Sequence, residues 1–262
     1  MGGKFTHYLI TRFNIVEKTR VWDKNEQPIL DADWLRHRLD LFTRFCVPTV
    51  SGQSEKSFIW LIYLNAASGS ELIETISKLI SPLTNVELRF VEDMPTFMKD
   101  LDQRMRNSNT PFVISSRLDN DDGLGMDYIR TIQSHFKEQE GLLINLCGGV
   151  AYDVDQNVLT LMKNTKLNHY GSLIENNKSL NGLLTIFGFR HPSPPPKLSI
   201  LNVLTEGSWL KIIHTRNAKS QLKGKLVLSK KILKHFSLPS DSIHISLPNS
   251  ISYIFSRLKK RI

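Results

Sequence analysis

The run Phe58–Leu64 (FIWLIYL) constrains the fold more than any other stretch of this chain, because it holds no charged or amide side chain. A strand with one wet face alternates polar and apolar residues, so a run like this needs cover on both faces. Helices on either side of a mainly parallel sheet provide that cover. The neighbouring sequence supplies them. His7–Ile15 reads as a first strand, and Trp34–Phe45 as a helix whose apolar face holds Trp34, Leu39 and Phe42, with Asp33 as its N-cap. Ser70–Ile80 and Thr96–Arg106 are further helices, with Asn85–Val91 and Pro111–Ser116 as strands. Gly125–Glu138 is expected to be helical, followed by strands over Gly141–Tyr152 and Asn157–Met162 that meet at a turn around Asp153–Gln156. Residues 164–200, ending in HPSPPP, read as an irregular excursion over the active face, and Ser208–His214 as a strand or short helix. The fold class is therefore α/β, a single domain with a mainly parallel central sheet.

Hydrophobic residues make up 40% and charged residues 23% of the 262, an ordinary soluble composition that excludes disorder along the whole length. No apolar stretch approaches the roughly 18 residues of a membrane span. Two cysteines, Cys46 and Cys147, share no metal-type spacing and point to a reducing, cytoplasmic setting. Met1-Gly2 with Thr6 fits a loose acylation pattern, but the following HYLI run reads better as the approach to a buried strand.

The strongest local signal is Arg117-Leu118-Asp119-Asn120-Asp121-Asp122, three carboxylates within four positions directly after an apolar strand. Their repulsion is costly unless a cation offsets it. A hard divalent ion, Mn²⁺ or Mg²⁺, takes oxygen ligands and bridges carboxylates to a ligand's phosphates. Ligands also collect at strand ends in open α/β sheets. The alternative is a solvated acidic turn with Asp119 capping the next helix. A calcium-binding EF-hand loop fails on spacing, since glycine falls fifth and Arg130 twelfth.

Three segments in order resemble the rhamnosyltransferase family, bacterial glycosyltransferases with the nucleotide-sugar-binding GT-A type of fold. They are His7-Tyr8-Leu9-Ile10-Thr11-Arg12-Phe13-Asn14, then Ser116 to Asp122, then Trp209-Leu210-Lys211-Ile212-Ile213-His214 with Asn217. The helix 34–45 followed by Cys46-Val47-Pro48 and Gln53 is similar to that family as well. The resemblance covers roughly residues 5–217. It implies a transferase that moves a sugar from a nucleoside diphosphate to an acceptor hydroxyl, with a metal gripping the diphosphate.

By that similarity Asp121 is the direct metal ligand, Asp119 meets the ribose or donor sugar, and Asp122 lies beside the metal or sugar among the catalytic groups. His214 completes the metal site in this reading; otherwise it is a core or capping histidine. Arg12 and Asn14, at the end of the first strand, suit nucleotide contacts, because a guanidinium pairs bidentately with phosphate. Pairing of Arg12 with a nearby acid is the alternative. Arg117 either serves the site or merely neutralises the acids. An inverting reaction needs a carboxylate near the acceptor hydroxyl. Glu175 is the first choice for that base and Asp153 the second, either being otherwise an exposed loop acid.

The net charge of +9 lies entirely in the tail. Residues 218–262 hold ten Lys and Arg against the single acid Asp241, whereas residues 1–217 balance at 24 of each sign. The expected organisation is therefore a GT-A-like domain over 1–217 and a basic extension, helical in part, over 218–262. Apolar and basic residues alternate in that extension, and Ile251, Ile254, Phe255 and Leu258 fall at helical spacing. This suits peripheral contact with an anionic inner membrane face and a glycan or lipid-linked acceptor. A basic nucleic-acid-binding protein is the main alternative, but few aromatics interleave the charges and the acidic turn would then have no purpose, so no nucleic acid is expected. A metal-dependent phosphohydrolase is the third reading, and it lacks the paired His/Asp spacing of a second metal.

Overall fold

The structure, a computed structural model, describes residues 3–15, 31–163, 166–180, 182–190, 193–217 and 221–259, without the side chains of 257–259. Met1 and Gly2 of the acylation pattern, His191 and Pro192 of the proline-rich run, and Lys219, Lys260 and Arg261 of the basic tail lie outside the described residues.

Seven strands form the larger sheet: β1 (Phe5–Arg12), β2 (Ile59–Asn65), β3 (Val86–Val91), β4 (Phe112–Arg117), β6 (Leu142–Leu146), β9 (Ser172–Asn176) and β10 (Ser199–Val203). Their order is β10-β6-β9-β4-β1-β2-β3, and every pairing is parallel except those that β9 makes with β4 and β6. The mainly parallel α/β sheet is thus as expected. Successive residues of β1 and β2 enter opposite cores. Leu9, Trp60, Ile62 and Leu64 join one, packed by α3 (Ser70–Ile80) and α5 (Tyr128–Ser134). Tyr8, Ile10, Leu61 and Tyr63 join the other, covered by Phe97, Leu101 and Met105 of α4 (Met94–Arg106). The continuous apolar run is explained by this double burial.

The smaller sheet, ordered β12-β8-β7-β11-β5, adds β5 (Gly123–Leu124), β7 (Gly148–Asp153), β8 (Val158–Lys163), β11 (Trp209–Ile213) and β12 (Lys225–Leu226). The chain passes from the larger to the smaller sheet after β4, after β6 and after β10. The acidic turn is the first of these crossings. At Gly149 an added Cβ would lie 2.0 Å from the Trp209 ring, so only glycine lets that indole close the seam.

Several expected elements are corrected. The first helix is α1 (Ala32–Leu41), capped by Asp31, whose carboxylate accepts the Trp34 N–H at 2.6 Å, rather than by Asp33. It runs through a π-helical turn at Phe42–Cys46 into α2 (Val47–Ser51). Pro48 has no N–H to return to the preceding turn, and Thr49 Oγ bonds the carbonyls of Phe45 and Cys46 at 2.7 and 3.0 Å. The helix expected over 125–138 shrinks to α5, and the N–H groups of Gly125 and Met126 go instead to the carbonyls of Ser208 and His235 at 2.9 and 2.7 Å. The excursion expected over 164–200 instead supplies β9 to the middle of the larger sheet. The tail packs back on the smaller sheet: β12 pairs with β8, and Phe236 and Ile243 are buried with Tyr152, Leu159 and Ile212. Its last element is α6 (Leu247–Lys259). Both cysteines are buried free thiols. No helix among the described residues is long and apolar enough to cross a membrane.

Candidate functional site

The turn after β4 is held from both sides. Leu118 N–H donates to the Ile10 carbonyl at 3.0 Å, and the Asn120 amide donates to the Phe13 carbonyl at 2.8 Å, which ties the turn to the end of β1. Behind it, Gln53 donates to the Gly125 carbonyl at 2.8 Å and accepts from Ile129 N–H. Three carboxylates are thereby fixed at the seam of the two sheets, and each has different partners.

Asp121 is buried and fully engaged. It forms an ion pair with Arg38 of α1, meets His214 Nε2 at 2.9 Å and accepts from the Asn217 amide at 3.2 Å. Burial alone would raise its pKa, but Arg38 and then His214 hold the carboxyl well below its usual range. His214 in turn faces His37 at 3.1 Å, and burial, His214 and Arg38 lower the His37 imidazole to about 4. The expected metal pair Asp121 and His214 is therefore brought together, with an arginine on the carboxylate.

Asp122, also buried, accepts the Tyr170 hydroxyl at 2.8 Å and the Ile212 N–H at 2.8 Å, and lies 3.1 Å from His169 Nε2. Burial and then the neighbouring Asp121 push its carboxyl upward, so its negative charge is under-compensated. Asp119 is partly exposed and gripped by Arg117 through two bonds of 2.9 and 3.1 Å. Burial raises its carboxyl, while Arg117, His169 and Arg12 outweigh that and hold it at about 2. One donor atom each from Asp119, Asp122 and His169 lies within 4.8 Å of the others. His169 leans on Tyr170, whose ring stacks on Trp209 at 4.9 Å, and the indole N–H donates to the Leu146 carbonyl at 2.9 Å. This aromatic stack fixes where the imidazole stands.

Arg12 and Arg117 flank Phe187, with guanidinium carbons 5.1 and 5.5 Å from the ring centroid, beside Asp119. They bring cationic character to the ends of β1 and β4. Asn14 sits differently: its amide accepts Asn65 N–H at 2.8 Å and donates to Ser68 at 2.9 Å, which joins the ends of β1 and β2.

Glu175 does not join the acidic turn. In the antiparallel register it stands opposite Val113, while Ser172 stands opposite Ser116, so Glu175 lies toward the far end of β4. It is buried, and its two oxygens accept the backbone N–H groups of Leu184 and Thr185 at 2.6 and 2.9 Å. The carboxylate expected as the base thus stands away from the acidic turn and clamps the 184–185 loop. Asp153 shapes the β7–β8 turn, accepting from the N–H groups of Asp155 and Gln156 at 3.1 and 2.9 Å.

Sequence reasoning missed Arg38, His37, His169 and the site role of Tyr170. Arg38 left a trace, since it falls on the apolar stripe of α1 between Trp34 and Leu41. His169 left none.

A family model described as "Putative rhamnosyl transferase" matches residues 5–226. No curated protein matches the chain. Among solved structures, HddC from Yersinia pseudotuberculosis is 13% identical, with 79% of this chain and 93% of that one covered, at a TM-score of 0.39. S. aureus TarS 1-349 is 12% identical, with 79% and 60% covered, at 0.42. The mannosyltransferase PcManGT from Pyrobaculum calidifontis, in complex with GDP-Man and Mn²⁺, is 11% identical, with 54% and 35% covered, at 0.33. The chain spans less than two thirds of the latter two. Similarity at this level transfers neither ligands nor residue roles.

Proposed function

The chain belongs to the rhamnosyl transferase family of that model and is a nucleotide-sugar-dependent glycosyltransferase, and from that premise we propose a divalent-ion-dependent transfer of the donor sugar to an acceptor hydroxyl at the acidic turn after β4. The observation that carries this reading is the convergence of Asp119, Asp122 and His169, with donor atoms within 4.8 Å, at a strand end next to Arg12 and Arg117.

The donor set fits a divalent cation. Two carboxylates suit either Mg²⁺ or Mn²⁺, and an imidazole favours Mn²⁺. The under-compensated charge of buried Asp122 supports a cation there. Such an ion, when bound, supplies Lewis-acid stabilisation of the departing diphosphate. Asp119, Asp122 and His169 would hold it. Asp121 and His214, already satisfied by Arg38 and Asn217, would form the wall that keeps the turn in shape. Arg12 and Arg117 are placed for the negative charge of the nucleotide. Asn14, by its bonds to Asn65 and Ser68, would orient the loop that borders the nucleotide rather than touch it. The acceptor is read as a glycan or lipid-linked hydroxyl in surface polysaccharide or glycoconjugate assembly, reached from the cytoplasmic side.

The test is a thermal-shift screen of UDP-, GDP- and dTDP-linked sugars with Mn²⁺, Mg²⁺ or EDTA. One nucleotide class should raise the melting temperature only when the ion is present. At about 100 times its dissociation constant, a ligand stabilises the fold by about 2.7 kcal/mol. Undiminished stabilisation in EDTA sinks the metal dependence, and no response to any nucleotide sugar sinks the donor assignment.

A further inference from the structure

Helix α6 shows two unlike faces. Its inner face is tied down: Tyr253 donates its hydroxyl to the Gly224 carbonyl at 3.0 Å, Asn249 donates to the Gln156 carbonyl at 2.8 Å, and Ser250 is buried. Its outer face carries Leu247, Ile251, Ile254 and Phe255, which are 60, 53, 43 and 61% exposed. Positions i, i+4, i+7 and i+8 make one stripe along a helix. Four of the nine exposed large apolar side chains of the described residues stand in this single stripe. Residues 247–256 contain no charge at all. Charge lies in the segment against which the inner face packs. Gly224, held by Tyr253, is flanked by exposed Lys223 and Lys225, and the whole segment from 218 carries ten basic residues against one acid.

We propose that the outer face of α6, with the lysines around β12, docks on an anionic phospholipid surface. Apolar side chains at the headgroup boundary and basic groups over an anionic leaflet are the two terms that hold an interfacial helix. A second copy of the chain would set two strongly basic segments against each other, which opposes self-association. A nucleic acid would satisfy the lysines but leave the aliphatic stripe in water. The geometry also connects this face to the site. Asn249 is anchored on the β7–β8 turn, and Val154 of that turn donates its N–H to the Ile213 carbonyl at 3.0 Å, one residue before His214. Docking through α6 therefore holds the end of β11 near the lipid surface. This deepens the proposed reading by naming the surface from which a lipid-linked acceptor is reached, although the binding itself needs no donor.

The experiment is co-sedimentation of the full chain with vesicles of phosphatidylcholine alone and of phosphatidylcholine mixed with phosphatidylglycerol, at low and physiological salt. Binding should require the anionic lipid and weaken as salt rises. Ile251→Ser with Phe255→Ser, and separately Lys223→Ser with Lys225→Ser, should each lose about tenfold in affinity. All of these side chains are exposed, so circular dichroism should remain that of the parent. No binding to anionic vesicles, equal binding to neutral ones, or undiminished binding by the Ile251/Phe255 variant overturns the proposal. So does a dimer in sedimentation velocity that Phe255→Ser abolishes. Donor binding measured without vesicles separates the two readings: loss of the ion-dependent stabilisation by nucleotide sugars alongside intact vesicle binding defeats the proposed donor site and leaves the docking surface standing.

Discussion

Two buried carboxylate neighbourhoods lie toward opposite ends of the paired strands β4 and β9, and they solve the same electrostatic problem differently. At the far end, Glu175 accepts from two backbone N–H groups, and burial lifts its carboxyl to about 7. At the near end, Asp121 is met by a guanidinium, an imidazole and an amide, while Asp122 beside it receives a hydroxyl, an imidazole and one N–H. A perturbed carboxyl is thus no sufficient sign of a reactive one. What separates the two ends is convergence. Several metal-capable atoms meet at the acidic turn, whereas the oxygens of Glu175 are spent on a loop.

The sharpest way to break this contrast is to neutralise one acid at each end. Asp122→Asn should lower transfer on the order of a thousandfold, the scale of several kcal/mol of transition-state stabilisation, and should abolish Mn²⁺ binding in calorimetry. Glu175→Gln should leave Mn²⁺ affinity within about twofold, since its carboxylate bonds the 184–185 loop and stands away from the acidic turn. Equal loss of metal binding in both variants would erase the distinction.

A second test concerns the compensated acid. Arg38→Ala leaves the Asp121 carboxylate buried with its main cationic partner gone, which should destabilise the fold by about 3–5 kcal/mol in denaturant titrations. A change below about 1 kcal/mol would mean that His214 and Asn217 suffice.

The smallest effect is a pH dependence. Glu175 is raised in the fold from 4.5 to about 7, so between those values the folded chain keeps a proton that the unfolded chain has lost. Stability contributed by this group is full below about 4.5 and declines as pH rises through about 7, by up to about 3 kcal/mol. Comparing denaturation midpoints of the parent and Glu175→Gln at several pH values isolates the slope. A decline of equal size in the variant would assign it to other groups.

Much of this protein can be read in its linear order. The FIWLIYL run demanded burial on both faces, the helix over 70–80 followed from its apolar period, and the acid cluster after an apolar strand marked the turn proposed as the site. Each of these rests on neighbours within a few residues, where side-chain spacing alone sets which face is buried. Ser172–Asn176 could not be placed that way. Its run is five residues long, and its partner strands begin 30 and 60 residues earlier, at Leu142 and Phe112. Only the assembled sheet decided that β9 enters antiparallel between β4 and β6, and this one insertion moves Glu175 away from the acidic turn while bringing His169 and Tyr170 to Asp122. The ion pair of Arg38 with Asp121 has the same origin. A charge buried at residue 121 selects whichever cation the packing of a helix from residues 32–41 brings against it, and no local pattern records that choice.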